Sequence, residues 1–212
     1  MSNNLQAGEQ YTEELKRNTE YTGVHPQKFA LWLAMASMTM FFAGLTSAII
    51  LRRGDFKSWE AFKFPFEFIY STVAVVAVSV FMHLALLNYR KANFSSFRSW
   101  LSGGAFMAVV FLLCQMNGLR VLNEMGKPMI GSMSGAFIHM MAYVHGFHIL
   151  VAILITFSFL FFAFRAKTRD VFELKNVVNP KRQLQLELLV SFWHYIDIVW
   201  IYLYVFFYLN YK

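Results

Sequence analysis

Charge is what this chain has least of. Only 15% of its 212 residues are charged, against about 25% in ordinary soluble domains, which argues against a soluble fold. Its single cysteine, Cys114, excludes an intrachain disulfide, and one thiol cannot build a zinc or iron–sulfur site; it reads as a small buried apolar residue. An apolar leader core is missing too. Residues 1–28 are polar and carry Glu9, Glu13, Glu14, Lys16, Arg17 and Glu20, so no cleavable signal peptide is visible and the tail is expected to stay attached in the cytosol. Without an internal repeat or a low-complexity stretch, repeat-built transporter architectures gain no support. The net charge of +7 does not imply a nucleic-acid partner, because the basic residues sit in short segments between apolar runs rather than along one face.

The chain is instead 58% hydrophobic and 18% aromatic. A spanning helix needs about 20 mostly apolar residues to cross roughly 30 Å of hydrocarbon. Five segments qualify, at about 29–51, 66–87, 100–122, 136–164 and 184–209, which predicts an all-α integral membrane protein with a five-helix domain over 29–209 behind a polar tail at 1–28. Arg52 and Arg53, Arg90 and Lys91, and Arg165 and Lys167 close the first, second and fourth spans. With Arg120 set apart, twelve Lys and Arg fall on the N-terminal side and six on the other. That bias places the N-terminus in the cytoplasm and the C-terminus outside. Small residues recur in the first span (Ala30, Ala34, Ser37, Gly44, Ser47) and the third (Ser99, Ser102, Gly103, Gly104, Ala105), where they let helices approach closely in lipid. The last span is dense in aromatics, from Trp193 to Tyr208, more than an interfacial belt requires.

Ionisable groups inside a membrane cost roughly 2.5–3.5 kcal/mol each on insertion scales and normally face protein. They concentrate late: His139, His145 and His148 in the fourth span, and Glu187, His194 and Asp197 in the fifth. Earlier spans offer His83, Gln115, Asn117 and Arg120. At about 100° per residue, His145 and His148 share a face, His139 points nearly opposite His148, and Glu187 and His194 lie on one stripe. A carboxylate-bridged di-iron bundle needs Glu-x-x-His pairs that are absent here. Bis-histidine haem through His83, His148 or His194 stays open by spacing, although hydrogen-bonded neutral histidines are the simpler reading. Glu187, in the first turn or so of its helix, suits an interfacial carboxylate favoured by the helix dipole. Asp197 sits near mid-membrane and must be neutral or paired, with His148 as the expected partner. Arg120 is expected to snorkel.

The run Phe192-Trp193-His194-Tyr195-Ile196-Asp197-Ile198-Val199-Trp200-Ile201-Tyr202-Leu203-Tyr204 closely resembles the Trp-His-Phe-Val-Asp-Val-Val-Trp-Leu-Phe-Leu-Tyr run that ends cytochrome c oxidase subunit III. Glu187 falls seven residues before the histidine, where that family also has a glutamate, and His145-Gly146-Phe147-His148 matches its His-Gly-Leu-His. The chain resembles the shorter, five-helix form of the family. Two departures stand out. The family's Ser-Glu-x-x-Phe-Phe reads Ser37-Met38-Thr39-Met40-Phe41-Phe42 here, and its Gln-x-x-Glu reads Gln115-Met116-Asn117-Gly118. Gln115 carries over; neither carboxylate does.

The resemblance implies an accessory subunit with no catalytic or metal-binding residue of its own, packed beside subunit I, with subunit II in the same complex. Haem and copper would lie in those partners, where oxygen is reduced to water and protons are pumped. It further implies bound phospholipid, a stabilising role, a bacterial inner membrane, and a possible respiratory supercomplex. Its intramembrane polar residues would be His145, His148, Glu187, His194 and Asp197, with Gln115, Gly146, Trp193 and Trp200 as family positions. A quinol oxidase or a nitric oxide reductase-associated homologue fits the same pattern, since nothing in the chain reads the electron donor. From other classes, a bis-His haem cytochrome and a transporter lined by Asp197, His194 and Glu187 remain alternatives.

Overall fold

The computed structural model describes residues 25–54, 65–167 and 180–210. They form five helices and, among the described residues, no strand: α1 Pro26–Arg53, α2 Glu67–Arg90, α3 Phe94–Glu124, α4 Met133–Lys167 and α5 Pro180–Asn210. All five are long and apolar enough to cross a membrane. Each span was expected from the length of its apolar run. The largest boundary difference is at α3, which starts six residues before the expected 100. Asn93 explains it, because its side chain accepts a hydrogen bond from Ser96 N at 3.2 Å and so caps a polar first turn that hydropathy alone reads as loop. Most of the expected 1–28 tail lies outside the described residues.

The described residues fall into two compact units divided between Ala36 and Ser37. In the first, Lys28 N and Phe29 N bond to His25 O at 2.8 and 3.1 Å and start α1. Every interaction that follows lies within the second.

Here α2, α3, α4 and α5 share an apolar core in which Phe68, Met82, Leu101, Phe111, Trp193 and Trp200 are fully buried. The α2–α3 seam is close because glycines open it. A Cβ on Gly103 would lie 3.2 Å from Phe81, one on Gly104 3.0 Å from Met82, and one on Gly118 2.9 Å from Phe68. In lipid no hydrophobic force pulls helices together, so such van der Waals contact has to do it. The connection is short: Lys91 N and Asn93 N bond back to Leu87 O and Asn88 O, and Ala92 takes φ 55°, an uncommon left-handed conformation for alanine.

A second cluster joins Phe42 and Ile49 of α1 with Leu122, Ile138, Met141, Val199, Leu203 and Phe207. Hydrogen bonds tie residues 39–53 of α1 to α5, running parallel to it, in steps of seven on α1 and of seven and eight on α5: Thr39 Oγ1 to Tyr195 Oη at 2.9 Å, Thr46 Oγ1 to Tyr202 Oη at 2.9 Å, and Arg53 Nη1 donating to Asn210 Oδ1 at 2.9 Å. The turn before α4 folds tightly over its first residues, with Gly126 and Gly131 at φ 76° and 101° and Gly135 N donating to Ser132 Oγ at 3.2 Å.

Candidate functional site: a polar seam on the fifth helix

The polar residues of α5 bond to two neighbouring helices, α2 and α4. Residues 187, 194, 197 and 200 fall within one broad arc of the helix, and α2 packs against that arc. Antiparallel to it, α2 meets them with a series of polar partners. Arg90 Nη2 donates to Glu187 Oε1 at 2.9 Å, reinforced by Gln183 Nε2 at 3.1 Å. Two turns deeper, Ser79 Oγ lies 2.8 Å from His194 Nδ1 and also donates to Asp197 Oδ2. Two turns further, Trp200 Nε1 donates to Thr72 Oγ1 at 3.1 Å. Trp193 turns to α4 instead, donating to Thr156 Oγ1 at 3.0 Å.

These contacts correct two expectations. Asp197 does not pair with His148. Its partner is Ser79, since the arc carrying Asp197 faces α2, while His148 sits near Phe42 with ring centroids 6.5 Å apart and has its Nδ1 2.8 Å from its own helix at Val144 O. Glu187 is not a first-turn carboxylate. With α5 starting at Pro180, it lies about two turns in, beyond the reach of the helix terminus, and the Arg90 guanidinium takes over that role.

Around the α3–α4 interface, His145 stacks on Trp200 with centroids 5.5 Å apart and planes at 24°. Phe111 closes edge-on against both rings. His145 Nε2 and both amide atoms of Gln115 are buried, with no hydrogen-bond partner among the described residues. Phe42 approaches both His145 and His148, at 6.1 and 6.5 Å, which fits their shared face. His139 lies away from them, its Nδ1 2.9 Å from Gly135 O. Gly146 has no neighbour within 4 Å of a built Cβ. Arg120 is exposed and reaches Glu124 at 3.1 Å, consistent with a snorkelling cation. Of the three histidines weighed as haem ligands, His83 and His194 come together, with centroids 5.9 Å apart, while His148 stands apart with Phe42. Among the described residues, no group of three or more His, Cys, Asp or Glu is placed to hold a metal ion.

No family profile matches the chain, but individual proteins do. It is 22% identical to cytochrome c oxidase subunit 3 of Thermostichus vulcanus, over 87% of this chain and 89% of that one. It is 24% identical to the cytochrome bo(3) ubiquinol oxidase subunit 3 of Buchnera aphidicola, over 86% and 93%. A third match, cytochrome c oxidase subunit 3 of Synechocystis sp., is 23% identical over 87% and 77%. The chain is thus distantly similar, along most of its length, to subunit 3 of oxidases named for two different electron donors.

Beside those names, the departure at position 118 has a local cause. Where the resembled family has a glutamate, a Cβ would already lie 2.9 Å from Phe68 Cε1 and Cζ, and Phe68 is itself buried against Trp200 at 6.0 Å. An aromatic ring from α2 occupies the room a longer side chain on α3 would need. Sequence reasoning missed Ser79, Thr72 and Thr156 altogether. Hydroxyls are unremarkable in apolar runs, because they can also bond to their own helix, as Thr156 does to Ala152 O at 2.8 Å.

Proposed function

We propose that this chain is subunit III of a haem-copper terminal oxidase: a non-catalytic subunit that packs on subunit I, stabilises it and holds phospholipid while the complex reduces oxygen to water and pumps protons. The observation that carries the reading is the use the structure makes of the Trp193-His194-Asp197-Trp200 run. Each member bonds or stacks onto a neighbouring helix, to Thr156, Ser79 and Thr72 and onto His145. A run spent on joining helices belongs to a scaffold. Relatives named as oxidase subunit 3 over most of the chain support the same assignment. The setting we assign is a bacterial inner membrane, with the N-terminus cytoplasmic and the C-terminus periplasmic.

The test is to tag the chain in its own cell, solubilise the membranes and purify. The visible spectrum and oxygen consumption of the product should show haem and copper in companion subunits. Stripping the chain from the complex should leave early turnover intact and shorten the time before activity decays. A product without haem, or one whose haem stays with the isolated chain, would overturn the assignment in favour of an unrelated membrane protein or a bis-His cytochrome. Because the relatives include both cytochrome c and ubiquinol oxidases, oxygen consumption with reduced cytochrome c and with quinol decides the donor. Nitric oxide consumption tests the reductase-associated variant. Cysteines placed at Lys16, Arg98 and Lys175 should resist an impermeant thiol reagent in whole cells; labelling reverses the topology.

A further inference from the structure

Two imidazoles stand open to the outside of the second unit at mid-span. His83 of α2 is exposed and His194 of α5 half-buried, with ring centroids 5.9 Å apart and planes at 44°. His194 directs Nδ1 at Ser79, which lies at the middle of α2. Among the described residues, no hydrogen bond reaches His83 or His194 Nε2. Hydrocarbon has nothing to offer such groups, and polar side chains at this depth normally face protein or an aqueous cavity.

The surface around them is shaped for a helix. On one flank of α5 lies α2, and on the other α1, fixed through Tyr195 and Tyr202. The stripe between them is left uncovered, with Ile198 66% and Ile201 40% exposed, and Val80 of α2 stands beside it at 53%. On the α1 side, Ala43 and Ser47 are exposed beside Met40 and Ile50, 78% and 56% exposed, and small residues between large ones leave room for a partner's side chains.

We infer that this groove between α1 and α2, floored by α5, seats one membrane-spanning helix of the haem-bearing core subunit, which brings a hydrogen-bonding side chain to His83 and His194. The inference rests on the oxidase reading above and names the face through which that partner is held. A lipid chain fits the apolar wall and leaves the imidazole nitrogens unmet. A second copy related by a twofold axis along the membrane normal would bring up its own imidazoles, each with one donor and one acceptor nitrogen, and is recognised by self-crosslinks from the groove.

The experiment uses the intact complex in native membranes. The photo-crosslinker p-benzoylphenylalanine replaces Val80 or Ile198 in the groove and, separately, Phe106 of α3 or Leu154 of α4, which are 63% and 59% exposed on other faces. After irradiation, crosslinks to the haem-bearing subunit are expected from 80 and 198 and not from 106 and 154. In parallel, H83L/H194L should lose the chain from the complex during detergent purification, and H83Q/H194Q, which keeps hydrogen-bonding capacity, should retain it. Crosslinks to the haem-bearing subunit from 106 or 154 alone would overturn the docking face while leaving the oxidase reading intact. So would self-crosslinks from 80 and 198, or lipid adducts only, with haem subunits still co-purifying. If no haem-bearing subunit co-purifies with any variant, the oxidase reading fails and the proposal fails with it.

Discussion

The two seams of α2 are built on opposite principles. Toward α3 it meets glycines, and the contact consists of rings and a thioether laid against bare backbone at Gly103, Gly104 and Gly118. Toward α5 it meets polar side chains, at Arg90–Glu187, Ser79–His194–Asp197 and Thr72–Trp200. The first seam has closeness without many directional bonds; the second has bonds at three levels that agree only in one axial register. Hydrocarbon removes the hydrophobic force as a means of joining helices, and this molecule uses both remaining means on the two sides of one helix. Steric seams should therefore fail abruptly when filled, and polar seams by degrees.

The sharpest break is expected at the turn above α4. A Cβ on Gly135 would lie 2.5 Å from Lys127 O and 2.7 Å from Pro128 O, backbone atoms that cannot rotate away. Gly135→Ala should lower stability by about 3 kcal/mol, the upper end for overpacking, read as unfolding in detergent with a thiol-reactive fluorophore on Cys114. An effect indistinguishable from wild type would mean that the turn is not held as described. Next comes Gly118→Ala, where the obstacle is the rim of the Phe68 ring. A side chain can yield in part, so about 1–3 kcal/mol is expected, and Phe68→Leu in the same chain should recover some of it. Failure of that rescue would separate Gly118 from Phe68.

The polar seam should respond by degrees, according to how buried each bond is. Ser79→Ala removes the donor to Asp197 and the partner of His194 together, leaving a buried carboxyl unmet, for about 1–3 kcal/mol. Adding Asp197→Leu should then cost less than it does alone, and strict additivity would show that the pair is not coupled. Thr72→Val should cost about 0.6 kcal/mol, the average for polar pairs inside membrane bundles. Smallest of all is Arg90→Gln: its partner Glu187 is 23% exposed and Arg90 itself 49%, and exposed ion pairs contribute about 0–1 kcal/mol. That difference should shrink in high salt, whereas the Gly118 effect should not.

The same contrast explains what the sequence could disclose. Five spans were legible because apolar length is a property of each segment alone, and small residues in the third span foretold a close seam. The face carrying Glu187 and His194 followed from their seven-residue spacing. Which helix meets that face did not. Asp197 was assigned to His148 on depth alone, and depth cannot separate α2 from α4 when both cross the same slab. Ser79 carries no signal by itself; only its pairing across 118 residues gives it a role. The steps of seven that tie Thr39, Thr46 and Arg53 to α5 were present in the sequence as two parallel series, Thr-Thr-Arg and Tyr-Tyr-Asn, at a nearly constant offset. They become visible only once α1 and α5 are known to be neighbours.

The three-residue connection at Lys91–Asn93 bears on how the chain is made. Helices joined so tightly can pair as soon as both have emerged, because closing a short loop costs little entropy. By the time Glu124 is synthesised, the glycine seam can form without waiting for anything downstream. Ser79 and Thr72, by contrast, find their partners only once α5 has been made, bringing Asp197, His194 and Trp200 together. Until then, one side of α2 carries hydroxyls with no helix against them. α5 therefore completes a half-built neighbour, and a chain truncated before residue 180 would present the membrane with an unfinished polar face, the kind of feature by which quality-control machinery can tell an immature chain from a folded one.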